Sequence, residues 1–125
     1  MKILTPFVAR VFLSLIFLFA AIRNLINPEA VMAYMAANGM RFTLFFLIAA
    51  LVTQIAGGLS LIFGFKTRIG AGLLILFLIP STLIFHLDFS DPQQNIQFLK
   101  NLGLIGGLML IMQYGPGPVS FDNKG

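Results

Sequence analysis

The sequence has no cysteine, no tryptophan, four acidic residues and one histidine. Without thiols it can form no disulfide, no thiolate nucleophile and no thiolate metal site. The lone His86 cannot supply a metal-ligand set or a paired-imidazole haem site, and no metal centre is read from these residues. Charged residues make up 10% of the chain against 58% hydrophobic, and the mean hydropathy of +0.96 excludes an ordinary soluble domain. The lipid bilayer is therefore the solvent in which the chain must be read. At about 20 residues per crossing, its 125 residues allow a single domain, residues 1–125, with about four spans.

What charge there is leans positive, with eight Lys and Arg and a formal net charge of +4. These residues are scattered singly and form no basic stripe, so nucleic acid is not an expected partner. They bound apolar segments instead, which is the pattern of membrane orientation. The chain reads as an all-α membrane protein, a four-helix bundle with spans at about 6–26, 42–65, 68–87 and 93–113. Lys2 ahead of an apolar run ending near "FAA" also has the shape of a signal peptide. We expect that segment to remain as the first span, with Arg10 and Arg23 snorkelling toward head groups at its ends.

Between the first two spans, "NPEAVMAYMAANGM" has the grammar of a short interfacial helix over about 28–38. Asn27 is a candidate cap, Pro28 suits the first turn, Glu29 suits the positive end, and Asn38-Gly39 suits termination. "SDPQQ" repeats the device, with Asp91 as cap and Pro92 in the first turn of the last helix. Four spans place both termini and the "KTR" turn at one end of the bundle. Lys2, Arg10, Lys66, Arg68 and Lys124 then face Arg23, Arg41 and Lys100 across the membrane, which predicts cytoplasmic termini and an outward "HLDFSDPQQ".

A rise of 1.5 Å per residue puts Arg10 about 20 Å below Asn24, and Gln54 about 18 Å below Phe42, so the two are expected to share a deep polar layer. A shallower layer near the outer face gathers Arg23, His86, Lys100 and Asn101, with Thr82 one turn from His86 on the third span. Gln97, Lys100, Asn101, Gly103 and Gly107 share a broad stripe, which predicts that Lys100 points into the bundle and that the glycines pack against a neighbouring helix. The structural alternatives are that Lys100 snorkels or pairs with Asp88, that His86 is an interfacial hydrogen-bonding residue, and that Arg10 and Arg23 anchor the topology. The methionines read as packing residues.

"FLKNLGLIGGLML" followed by "GPGPVSFD", with "FH" closing the preceding span and "GFKTR" joining the middle spans, resembles the DoxX family of small four-helix membrane proteins. The likeness covers nearly the whole chain. It implies a bundle in a bacterial cytoplasmic membrane and an association with redox metabolism, including quinone-linked sulfur oxidation and membrane oxidoreductase complexes. The family pattern commonly has an acid at the position of Gln54 and a lysine at that of Arg23. Gln54 offers only hydrogen bonds, so Arg10 is expected to leave positive charge in the bundle for an anionic or carbonyl-bearing guest.

The functional expectation is an integral membrane subunit of a redox system that binds a quinone or similar apolar carbonyl ligand. His86, Lys100, Asn101, Arg23, Gln97 and Thr82 would supply its polar contacts, and Phe-rich walls would hold the ring. With no recognisable cofactor motif, an oxidoreductase reaction would need a bound flavin or quinone, or electrons from a partner. The alternative is a non-catalytic scaffold that anchors a partner, or a second copy, through glycine-lined faces. A lipid or metabolite carrier is disfavoured by the lack of an inverted repeat.

Overall fold

The computed structural model describes residues 4–85 and 90–122. All regular structure among them is helical: α1 (Leu4–Ile26), α2 (Pro28–Ala37), α3 (Thr43–Phe63), α4 (Thr67–Phe85) and α5 (Pro92–Tyr114). Helices α1, α3, α4 and α5 are each long and apolar enough to cross a membrane, and α2 is the short helix between the first two spans.

Local chemistry accounts for several boundaries. Asp91 caps α5, its Oδ1 accepting from Gln93 N at 2.9 Å, with Pro92 in the first turn where no N–H is required. At α2, Pro28 occupies the first turn, but the Asn27 side chain makes no capping hydrogen bond, contrary to the expectation from sequence. The helix ends at Asn38, whose amide donates to Tyr34 O at 2.9 Å, and Gly39 at φ +85° then turns the chain. Gly64, at φ +66°, ends α3 with its N–H on Ser60 O. The start of α4 has no local cap, because Lys66 precedes Thr67.

Helix α1 packs on α3, α3 on α4, and α4 on α5, while α2 leans on α3. Phe17, Leu61, Ala71, Leu74, Leu78, Leu108 and Ile111 form the buried centre. The adjacent glycines of α3 serve different neighbours. A Cβ on Gly57 would lie 2.6 Å from Leu74 Cγ of α4, and one on Gly58 would lie 2.8 Å from Leu18 Cδ2 of α1. Only glycine lets both helices approach α3 this closely.

The polarity of α1 is the reverse of a soluble helix. Its buried stripe is Arg10, Ser14, Phe17 and Ala21, whereas Phe12, Leu15, Phe19 and Ile22 face outward. Hydrocarbon stabilises the outward face as readily as a protein core would, so polar residues are driven inward.

Candidate functional site

The most extensive polar construction lies at the end of the bundle where α3 stops, α4 starts and the tail after α5 returns. Residues 119–122 run between the two helix termini. Phe121 N donates to Phe63 O at 3.1 Å, and Asp122 N donates to Gly64 O at 2.7 Å. From α1, Arg10 Nη1 donates to Leu61 O at 2.9 Å, and Nη2 donates to Val119 O. The last carbonyls of α3, which have no partner within their own helix, are thus met by a cation and by tail amides.

The start of α4 receives the opposite charge. Asp122 Oδ1 accepts from Lys66 N at 2.6 Å, and Oδ2 accepts from Thr67 N at 2.7 Å and from the Thr67 hydroxyl at 2.6 Å. A carboxylate remote in sequence therefore serves as the cap that α4 lacks locally. Arg10 sits at the negative pole of α3 and Asp122 at the positive pole of α4, the arrangement both helix dipoles favour. Arg10 is 1% exposed and its charge lies 5.5 Å from the Phe7 ring centroid. Its Nε is buried with no hydrogen-bond partner among the described residues.

Lys66 holds φ +49°, costly for a residue with a side chain. The conformation is held from several sides: its N–H binds Asp122, and its carbonyl accepts from Ser60 Oγ at 3.2 Å and from Gly70 N at 3.0 Å. Ser60 approaches so closely that a Cβ on Gly70 would lie 2.3 Å from its Oγ.

Burial would raise the Asp122 carboxyl, but the Thr67 hydroxyl, the Thr67 and Lys66 N–H donors and the Arg10 charge outweigh it and hold the group below the usual carboxylate range. Its folded-state value lies below its unfolded one, so the stabilisation is complete above the unfolded pKa of about 3.9 and is lost as the pH falls through the depressed folded value. Asp122→Asn keeps a capping acceptor and loses only the charge, so its stability gap to wild type should stay constant at about 0.5 kcal/mol from neutral pH down to about pH 5 and close below about pH 4. Unfolding in detergent across that range measures it, and a gap that widens with acid contradicts this assignment.

The expected deep layer is rearranged. Gln54 is 4% exposed and its Oε1 accepts from Asn24 Nδ2 at 3.4 Å, while Arg10 reaches Leu61, two turns further along α3. Cβ atoms tilt toward a helix's own N-terminus. In antiparallel α1 and α3 this swings Arg10 toward the tail and Gln54 away from it. The larger cause is axial offset: Gln54 sits beside Asn24, fourteen residues along α1 from Arg10, so α1 and α3 do not start at the same level, as a depth count from Asn24 and Phe42 assumes. The positive charge of Arg10 is answered by carbonyls and by Asp122, not left for a guest.

Of the shallow layer, the structure brings together Thr82 and Asn101, both 5% exposed, with Asn101 Nδ2 donating to Thr82 Oγ1 at 2.9 Å. Lys100 is exposed, contrary to the inward direction expected from its stripe, and donates to Gln97 Oε1 at 2.6 Å on the same helix. The reason is angular: Asn101, Leu108 and Ile111 take the inward face of α5, leaving Lys100 about 100° away to extend one turn toward the helix start. Gly103 likewise faces open space, and Gly107 makes ordinary contact with Leu13 of α1. His86 and Asp88 lie outside the described residues.

Arg23 stands apart from Thr82 and Asn101. It lines a cleft of about 460 Å³ between α1 and α2 together with Ala20, Asn24, Ile26, Asn27, Ala30 and Val31. Three polar side chains thus border a largely apolar recess at the end of the bundle opposite the tail.

Sequence does not single out Thr67 or Asp122 as site residues, and it marks Ser60 only as one of a small-residue packing stripe with Ala56 and Gly64. Two signals were available: a helix start at "KTR" without an Asp, Asn or Ser immediately before it, and an acid ending "GPGPVSFD". Linking them requires knowing that the tail comes back to the α3–α4 turn.

These features define the class: a four-span helical membrane protein whose tail locks two helix termini around a buried arginine. The chain belongs to the DoxX family, whose profile matches residues 5–87. A second profile, that of the SURF4 family, matches residues 63–125. Curated relatives include inner membrane protein YqjF of Escherichia coli K12, 31% identical over 115 residues, covering 92% of this chain and 87% of that protein. Inner membrane protein YphA of the same strain is 28% identical over 123 residues, covering 94% and 87%. No solved structure matches the chain.

Proposed function

We propose that this protein is a multi-pass subunit of a bacterial inner-membrane redox system that holds a quinone-class carbonyl ligand at the α1–α2 end of the bundle, with both termini on the cytoplasmic side. The cleft lined by Arg23, Asn24 and Asn27 carries the reading. A quinone needs donors at its carbonyls and apolar surface for its ring and tail. Arg23 and the two asparagines offer the donors, and Ala20, Ile26, Ala30 and Val31 offer the walls. Exposed Phe19 and Ile22 on α1 continue the apolar surface toward lipid. Inner-membrane placement is supported by the names of YqjF and YphA, and orientation by the excess of Lys and Arg at the tail end.

A second reading has its own observation. A Cβ placed on Gly103 or Gly106 would meet nothing within 4 Å, so α5 presents a small-residue face that a partner helix or a second copy would fit. This favours a non-catalytic scaffold.

Organic extraction of the purified protein separates the two. On the quinone reading, stoichiometric quinone co-purifies and Arg23→Gln lowers its retention about tenfold, the worth of one charge-assisted hydrogen bond. Quinone no more abundant than in an unrelated membrane protein, together with a stable oligomer or captured partner, supports the scaffold.

A further inference from the structure

At the tail end, a surface cleft of about 700 Å³ is lined by Lys66, Thr67, Arg68 and Ile69 of the α3–α4 turn and by Tyr114 to Pro118 and Asp122. Two cations border it, and neither the Lys66 ammonium nor the Arg68 guanidinium hydrogen-bonds another described residue. The one acid among its described lining residues, Asp122, has its oxygens engaged by the Lys66 and Thr67 donors and its charge offset by Arg10. The cleft is therefore electropositive despite containing a carboxylate.

Both cations are placed by the fold. Arg68 lies against Gly115, where a Cβ would come within 3.3 Å of its Nη2, and Gly115 holds φ +81°. A side chain there would push the guanidinium aside. Lys66 sits in the turn whose backbone is fixed by Asp122, Ser60 and Gly70, and its Nζ stays 5.7 Å from the Phe65 ring centroid. The cleft also lies at a defined level, where α3 has ended at Phe63, α4 begins at Thr67 and α5 ends at Tyr114. That is the boundary of the apolar spans, where tyrosine is favoured and the surrounding chemistry is phosphate.

We propose that this cleft binds a phosphate group, with Lys66 and Arg68 as its charged contacts and the loop at Gly115–Pro118 as its opposite wall. An anionic phospholipid and free inorganic phosphate both present tetrahedral phosphate oxygens to the same two cations. The site is at the opposite end of the bundle from the α1–α2 cleft and does not depend on the quinone reading.

The test titrates the full-length protein in neutral detergent with short-chain phosphatidylglycerol, short-chain phosphatidylcholine and inorganic phosphate, reading binding by native mass spectrometry and thermal shift. We expect phosphatidylglycerol to bind in preference to phosphatidylcholine, and the Lys66→Gln/Arg68→Gln double variant to bind about tenfold more weakly or worse. Arg41→Gln, which removes one exposed charge at the other end, should bind as wild type does. Competition by inorganic phosphate assigns the site to free phosphate; lack of competition assigns it to the lipid headgroup. Unchanged lipid and phosphate binding in the folded double variant overturns the proposal, as does an equal loss in Arg41→Gln, which would signal attraction to net charge alone. Should the double variant not fold, Arg68→Gln alone carries the same readout.

Discussion

Arg10→Met should destabilise the protein by about 2–4 kcal/mol, the cost of leaving two carbonyls without the donor that serves each. Methionine matches much of the volume, so the loss reports polar contacts more than packing. Leu61 O and Val119 O would lose their donor, and Asp122 would lose the charge that offsets it. Arg10→Lys should recover only part of the difference, because one ammonium does not reproduce the two separate nitrogens that serve two carbonyls. Denaturant titration in mixed micelles, with limited proteolysis of the tail as a second readout, measures both variants. If Arg10→Met unfolds with wild type and its tail remains protected, Arg10 is not the link between α1, α3 and the tail.

Gly64→Ala should cost about 2–4 kcal/mol, combining a left-handed backbone that disfavours a side chain with overpacking. At φ +66°, its new Cβ would lie 2.2 Å from Ser120 Cβ and 2.8 Å from Ser120 Cα. The second of these is backbone, so a rotamer change cannot relieve it. The tail must move away, taking Asp122 from the start of α4. Gly103→Ala is the internal contrast: its Cβ meets nothing within 4 Å, so the same chemical change should be neutral or stabilise by about 0.5–1 kcal/mol through helix propensity. Thermal unfolding of the pair, with carboxypeptidase release of the tail, distinguishes them. Equal behaviour would mean that Gly64 is not held against Ser120.

The helices were legible because single charges interrupt long apolar runs, and "NPEA", "ANG" and "SDPQ" punctuate them with turn chemistry. The packing role of glycine was legible as a tendency, but its location was not. "IAGGLS" supplies the tight contacts through Gly57 and Gly58, whereas Gly103 of the equally suggestive "GLIGG" faces open space. Phase alone cannot say which neighbour a stripe meets. Lys100 shows the same limit, since a broad polar stripe contains both Asn101, turned inward to Thr82, and Lys100, turned outward to Gln97.

Membrane residence, four long helices and the short helix between the first two follow from sequence alone, because the transfer of each residue into hydrocarbon and the propensity of each turn are local and add along the chain. The polar partnerships do not. They depend on the rotation and axial offset of antiparallel helices, on side chains that tilt in opposite directions from those helices, and on a tail that brings Val119 O to Arg10 across 109 positions. Tertiary structure alone decided that Arg10 ends α3 while Asp122 begins α4. Those two helix poles have complementary charges, and only the folded chain brings both within reach of one strand of tail.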